Sequence, residues 1–291
     1  MITTSKKFFT DFIQLLKLSY LGWKQDRASR LAAALAYYTI FSLAPMLIIT
    51  IAIASLIWQR DVVQTQLMNQ IQSLVGFEGA SFIAELLESS NNSASGVWAT
   101  VIGIFTLLFG ALGVFNELQN ALNTIWKVKE DNSKGILYSI KNLLINRFLS
   151  FAMILGIGFM LLVSLVVSTL ISVLGELVIN ILPFHKFILQ FLNLIVSIGI
   201  ITILFAMIFK FLPDVKVEWK NVWLGAFVTA VLFSLGKTLI GLYLGSSAIS
   251  SSFGAAGSLV ILLVWIYYSA QILFFGAEFV KVYSQQTKSI Q

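Results

Sequence analysis

One lysine stands inside a stretch of sequence that is otherwise typical of an apolar helix. Lys237 lies in "LFSLGKTLIGLYLG", residues 232–245, where no other residue is charged. A lysine at the centre of a membrane helix costs about 2.5 to 3.5 kcal/mol on insertion scales, and such groups by default face a protein interior or a wet cavity. There, Lys237 would bind a phosphate or a carboxylate. The alternative is a long side chain that bends toward water at the membrane surface.

An interior Lys237 needs polar neighbours at its own depth. If its helix leaves the membrane near residue 244, Lys237 lies about 10 Å below that surface at 1.5 Å per residue, and Asn193 of the preceding apolar run is expected at the same level. Two tyrosine doublets and a glutamine also put polar groups among apolar helices, where they either bind a ligand or bond to each other. The substrate-binding candidates are Lys237, Asn193, Tyr37, Tyr38, Tyr267, Tyr268 and Gln271.

A second set of charged residues is expected at the opposite membrane surface. Unpaired charges in that zone are expensive, so we expect ion pairs that fasten helix ends, with a gate on the inner face as the functional alternative. The residues are Glu117, Glu278, Arg30 and Arg147. Pro45, in the middle of the first apolar run, predicts a helix kink because its ring removes a backbone hydrogen bond.

The elements that carry these residues are predicted to be membrane helices. Of the 291 residues, 58% are hydrophobic and 11% are charged, against about 45 to 50% and 25% in soluble domains. Six runs have the roughly 20 apolar residues that a membrane helix needs, and their lack of alternation excludes a β-barrel. We therefore expect an all-α, polytopic membrane protein with six transmembrane helices over 31–58, 97–115, 148–173, 187–211, 222–244 and 256–281.

The positions of the basic residues predict the orientation of these helices. The chain ends and the alternate links 116–147 and 210–221 carry 16 Lys or Arg, whereas the other links carry 2. Basic residues stay on the cytoplasmic side, so both termini are predicted to be cytoplasmic. The basic face also suits anionic lipids of the inner leaflet, and the net charge of +6 requires no nucleic acid partner.

Amphipathic segments are expected outside the six spans. Residues 1–30 form a cationic amphipathic helix that either lies on the inner leaflet or packs beneath the bundle. Within the membrane domain, 31–283, the first outer link carries two amphipathic patterns separated by "GFEG", which predicts a helical hairpin at about 62–88. Residues 284–291 form a polar tail.

The sequence lacks the residue patterns of common enzymes. It has no cysteine and a single histidine, His185, so a thiol site, a histidine metal cluster and a His-based triad are excluded within one chain. Phosphate-binding and dinucleotide-binding glycine motifs are absent, and the 13 acids are scattered. We expect neither enzyme activity, nor a cofactor, nor a metal.

Four segments together resemble the YihY/BrkB family of bacterial inner-membrane proteins. They are "AAALAYYTIFSLAP", "FNELQNALNTIW", "FLP" and "FGAAGSLVILLVWIYYSAQILFFGAEF", and the similarity runs from about residue 20 to residue 283. The resemblance implies six spans with cytoplasmic ends. It brings no catalytic role to the matching residues, which are Tyr37, Tyr38, Pro45, Asn116, Gln119, Asn123, Lys237, Tyr267, Tyr268, Gln271 and Glu278.

The resemblance also implies a range of functions. Proteins of the family have carried a ribonuclease label, which this histidine-poor membrane chain gives no reason to accept. The family is associated with virulence and serum resistance, and some members with export of lipid or lipopolysaccharide precursors. We expect a lipid or amphiphile transporter, or a transport subunit, that serves envelope biogenesis in a bacterial inner membrane. The alternatives are a non-enzymatic scaffold that binds an envelope protein through its outer hairpin, and a small-solute exporter.

Overall fold

The described part of the chain is entirely helical. The computed structural model describes residues 2–56, 58–92, 113–128, 185–246 and 257–289, and all regular elements within these ranges are α-helices. The all-α prediction is confirmed for these residues. The helices are α1 (Ile2–Gln25), α2 (Ala28–Ala54), α3 (Arg60–Asn92), α4 (113–126 as described), α5 (His185–Phe211), α6 (Trp219–Ser246) and α7 (Gly257–Ser289).

Several helices are long and apolar enough to cross a membrane. Three segments meet this condition, namely Leu194–Phe211, Trp219–Ile240 and Gly257–Thr287, and the two halves of α2 provide a fourth if they count as one bent span. Most of the predicted span at 97–115 and all of that at 148–173 lie outside the described residues. The six spans and the orientation of the termini therefore stay predictions.

Helix α2 bends where the sequence places its proline. The segments Ala28–Leu43 and Met46–Ala52 meet at an angle of 49°. Pro45 lies at this break, and its missing N–H leaves the carbonyl four residues earlier without its helical donor. The second half of α2 is thus tilted away from the line of the first half.

Helix α7 lies at the centre of the described bundle. It packs against α1, α2, α3 and α6, while α5 packs mainly against α6. One core joins the starts of α2 and α6 to the ends of α4, α5 and α7, and we call this the Glu278 end. Its most buried side chains include Ala28, Leu122, Phe209, Leu212, Val222, Phe274 and Val280.

A second core lies at the opposite end of α2 and α7. Here Ala54 and Leu262 pack with Val63 and Ile83 of α3, and we call this the hairpin end. Within α3, the helical conformation is interrupted at Gly76, which has φ 81° and ψ 176°. Only glycine adopts this combination readily, so "GFEG" divides α3 into two helical halves.

Helix α1 has one packed face and one exposed face. The Phe12 ring lies 6.1 Å from that of Phe279, edge to face, and Leu15 and Ser19 are buried. The opposite side exposes the large apolar residues Ile13, Leu18, Tyr20 and Leu21. One face of α1 therefore packs against the bundle, as one of the two alternatives predicted. The other face is apolar and exposed, as in a helix that lies on a membrane surface.

Candidate functional site

Helices α6 and α7 approach each other closely along an antiparallel seam. Gly225 of α6 lies under Val280 of α7, and Gly276 of α7 lies under Thr229 of α6, so closely that a Cβ at either glycine would clash. Each of the two helices therefore supplies one glycine and one side chain that covers its partner's glycine. Small residues permit such close backbone contact between membrane helices.

The same seam places Gly236, the residue before Lys237, against a tyrosine. Gly236 is buried, and a Cβ there would lie 2.5 Å from the hydroxyl oxygen and from a ring carbon of Tyr268. The neighbouring Lys237 is half-buried, as is Tyr268. Within the described part of the chain, neither the Lys237 ammonium nor the Tyr268 hydroxyl has a hydrogen bond or an ion pair. The Lys237 ammonium and the Tyr268 hydroxyl are thus two donors, on facing helices, without an acceptor among the described residues.

Helix α6 also exposes apolar side chains. Leu235 and Leu239, on either side of Lys237 in the sequence, are 58% and 64% exposed. Further along α6, Phe227 is also exposed. Residues two positions apart do not share a helix face, so the two leucines are exposed on the side of α6 away from Lys237.

The other residues of the predicted substrate site have separate neighbours. The amide oxygen of Gln271 accepts a long hydrogen bond, 3.5 Å, from the Ser29 hydroxyl, and this bond joins α7 to α2. Tyr267 packs against both cores. The tyrosine doublet of α7 is therefore divided, since Tyr268 faces α6 and Tyr267 lies where the two cores meet.

The tyrosine doublet of α2 is exposed. Tyr37 and Tyr38 are 60% and 42% exposed, with ring centroids 5.6 Å apart. Tyr37 also contacts Phe41, and Tyr38 lies beside Gly113 of α4. Tyr37 and Tyr38 therefore have different neighbours from Tyr268. The backbone of Asn193 belongs to α5, and its side chain lies outside the described part of the structure.

Glu278 is the most deeply buried charged residue of the described chain. Its side chain is 0% exposed, and its Oε2 lies 2.9 Å from the Lys281 Nζ, one helical turn away. Lys281 also reaches Asp26, at 3.1 Å, in the turn between α1 and α2. Gly22 of α1 makes room for Glu278, because a Cβ there would lie 2.6 Å from the carboxylate. We call Glu278, Lys281 and Asp26 the Glu278 cluster.

The predicted ion pairs with arginine have a different form in the structure. Glu278 pairs with Lys281, whereas Arg30 is exposed and Glu117 is half-buried. Arg147 lies outside the described residues. Sequence reasoning missed Lys281 as the partner, although its spacing of three residues from Glu278 places both on one helical face.

A second polar cluster joins α4 to the link between α5 and α6. The Asn123 amide donates to Asp214 at 2.8 Å and accepts from the Asp214 backbone N–H at 2.9 Å, and Gln119 donates to the same carboxylate at 3.2 Å. Asp214 follows "FLP" directly, and sequence reasoning missed it. Two features of the sequence could have indicated it: Asp214 is an acid directly after a proline, and the segment of α4 is rich in amide side chains.

The described residues offer no group of three or more His, Cys, Asp or Glu side chains that could hold a metal ion. The candidate site consists of the Lys237 ammonium and the Tyr268 hydroxyl, on facing helices of which α6 also exposes apolar side chains. This pair can bind an anionic or hydrogen-bond-accepting group.

Known proteins match most of the chain. A family model described as "Virulence factor BrkB" matches residues 19–290. A UPF0761 membrane protein of Pseudomonas paraeruginosa is 28% identical over 282 residues, which are 94% of this chain and 64% of that protein. The chain thus spans less than two thirds of this relative's length.

Two further relatives are matched over more of their length. UPF0761 membrane proteins of Alteromonas mediterranea and Haemophilus influenzae are 28% and 24% identical, over 88% and 91% of this chain and 83% and 94% of theirs. No solved structure matches the chain.

Proposed function

The chain belongs to the family of Virulence factor BrkB, and on that premise we propose that it transports lipids or other amphiphiles in a bacterial inner membrane. It does so alone or as a subunit of a larger transporter, in a binding role without catalysis. The observation that supports the proposal is the half-buried Lys237, which follows the contact of Gly236 with Tyr268 and has no acceptor in the described part of the chain.

The chemistry of the pair favours a phosphate or carboxylate headgroup. A half-buried ammonium loses part of its hydration, and an anionic ligand would supply the opposite charge and hydrogen-bond acceptors. The Tyr268 hydroxyl on the facing helix would be a second donor. Ligand binding would therefore supply acceptors that the described part of the chain does not provide.

The surroundings of the pair favour an amphiphile over a small solute. Leu235, Leu239 and Phe227 are exposed along α6, the first two on the side of the helix away from Lys237. A hydrocarbon chain can lie against such apolar residues, whereas a hydrated solute would gain nothing from them. At the Glu278 end, the basic residues of the chain ends and links would attract anionic lipids before transfer.

Transfer of labelled lipid between leaflets tests this function. The protein is reconstituted into liposomes containing a fluorescent phospholipid, and the accessible fraction of the label is followed with a membrane-impermeant quencher. We expect Lys237→Ala to slow transfer by about tenfold, which corresponds to 1.4 kcal/mol of lost stabilisation. Lys237→Arg keeps the charge and should retain a large part of the rate.

Lys220→Ala is the matched control, since Lys220 is an exposed lysine near the start of the same helix. It should transfer lipid like the wild type. Transfer no faster than in protein-free vesicles, or equal rates in wild type and Lys237→Ala, would refute the role of Lys237.

The scaffold alternative is supported by one feature of the hairpin end. Phe77, directly after the break in α3, is 70% exposed, as a docking residue would be. Because the chain has no cysteine, Phe77→Cys gives a single site for crosslinking in cells. One stoichiometric protein partner would favour the scaffold, and lipid adducts near Lys237 would favour transport.

A further inference from the structure

A cavity separates the second half of α2 from the hairpin helix α3. Its volume is about 290 Å³. The apolar part of its wall is formed by Ile48, Ile51 and Ala52 of α2 and by Leu87 near the end of α3. Pro45 precedes this part of α2, so the bend at Pro45 sets the tilt of the helix that forms one wall.

The remaining residues of the wall are polar and come from the end of α2 and the start of α3. Ser55, Arg60 and Gln64 complete the lining, and they follow the apolar part of α2 in the chain. The Ser55 hydroxyl donates a hydrogen bond to the Ile51 carbonyl, at 2.6 Å. Arg60 is exposed and Gln64 is half-buried, so both can present N–H groups toward the mouth of the cavity.

Along α2 the lining thus changes from apolar at Ile48, Ile51 and Ala52 to polar at Ser55, toward the end of the helix. A lipid has the same gradient, with its hydrocarbon chain at depth and its headgroup at the surface. A water-soluble ligand would meet apolar side chains over most of the wall, and a protein segment would have to lose its backbone hydration there.

We propose that this cavity binds one acyl chain of a phospholipid, with the phosphate near Arg60 and Gln64. Its volume is at the lower limit of about 300 to 1,000 Å³ for ligand pockets, which suits the end of a single chain and not a whole lipid. Arg60 already makes an interaction within the protein. Because its guanidinium has five N–H donors, it can keep that interaction and also bind a phosphate. The site is separate from Lys237 and does not require transport.

Photo-crosslinking with lipid tests the proposal. The full chain is reconstituted with a phosphatidylglycerol that carries a diazirine near the end of one acyl chain, irradiated, and digested for mass spectrometry. We expect adducts on residues 48–64 and around Leu87. Ala52→Phe places a ring in the cavity and should lower these adducts by about tenfold.

Ala33→Phe is the matched control, because Ala33 is an exposed alanine on the same helix that does not line the cavity. It should label like the wild type. Ala52→Leu, which fills less volume, should give an intermediate loss, and the melting temperature of each variant in detergent identifies any that is unfolded.

A second probe distinguishes a phospholipid from a free fatty acid. The same diazirine chain is supplied as the unesterified acid; weaker labelling than with phosphatidylglycerol supports the phospholipid, and equal or stronger labelling overturns it. If Ala52→Phe leaves the labelling at the wild-type level, the cavity is not the binding site. The same holds if Ala33→Phe lowers the labelling as much as Ala52→Phe does. Lys237→Ala should not affect it, so a failed transport assay and a failed cavity are told apart.

Discussion

The two ends of the bundle differ in how they are held together. At the Glu278 end, five helices contribute to one core, and Phe209, Phe274 and Leu122 are completely buried. Two polar clusters add connections between elements that are far apart in the sequence, one through Lys281 and one through Asp214. At the hairpin end, α3 packs on α2 and α7 beside a cavity of about 290 Å³, and α2 itself is bent.

This difference indicates where the molecule can change shape. A core joined by paired buried charges resists rearrangement, whereas a cavity, a glycine break and a bent helix can adopt alternative arrangements at lower cost. We therefore expect the hairpin end to rearrange more readily than the Glu278 end. Each of the following substitutions tests one part of that contrast.

Lys281→Met should have the largest effect on stability. It leaves the carboxylates of Glu278 and Asp26 close together without a cation, and removing one partner of a buried ion pair costs about 3 to 5 kcal/mol. We expect a large drop in the melting temperature of the purified protein in detergent. Lys24→Met, at an exposed lysine of α1, should change it little.

The double variant Lys281→Met with Glu278→Gln separates charge from packing. Neutralising Glu278 removes the uncompensated charge, so the double variant should regain most of the lost stability. If Lys281→Met melts like Lys24→Met, the Glu278 cluster does not stabilise this end and the contrast fails.

Gly276→Ala should have an intermediate effect, because the new methyl group collides with Thr229 in the α6–α7 seam. Overpacking of this kind costs about 1 to 3 kcal/mol. Gly199→Ala on α5 is the control, since nothing lies within 4 Å of its Cβ position. There, alanine should be neutral or stabilising by up to about 1 kcal/mol, because it favours a helix. Equal melting temperatures for the two variants would contradict the close seam.

Composition and periodicity predict the helical class but not how the helices pair. Hydrophobic run length predicted the segments that contain α5, α6 and α7. The chain ends and the links 116–147 and 210–221 were predicted to lie on one side of the membrane. Their described residues lie at the Glu278 end. The glycines were less predictable. The seam uses Gly225, Gly236 and Gly276, and the sequence does not single them out, because contact depends on the facing helix.

The candidate site was predictable as a set of residue types and not as a constellation. Lys237 is conspicuous in the sequence because burying a charge is costly, and Pro45 because its effect on a helix is local. The contact between Gly236 and Tyr268 joins two helices through their register, which no local pattern encodes. The same holds for the bonds from Asn123 to Asp214, 91 positions apart.

Gly76→Ala should have the smallest effect on global stability and the most local one. At φ 81° and ψ 176° an alanine is strained by about 1 to 3 kcal/mol, although its Cβ would meet nothing within 4 Å. Because the hairpin end can rearrange locally, we expect faster amide exchange over 70–82, with little change in melting temperature or in exchange over α6 and α7. Hydrogen exchange with mass spectrometry measures both regions in one sample. If exchange rises throughout α7 as well, the hairpin is part of the same cooperative unit as the Glu278 end, and the two ends do not move independently.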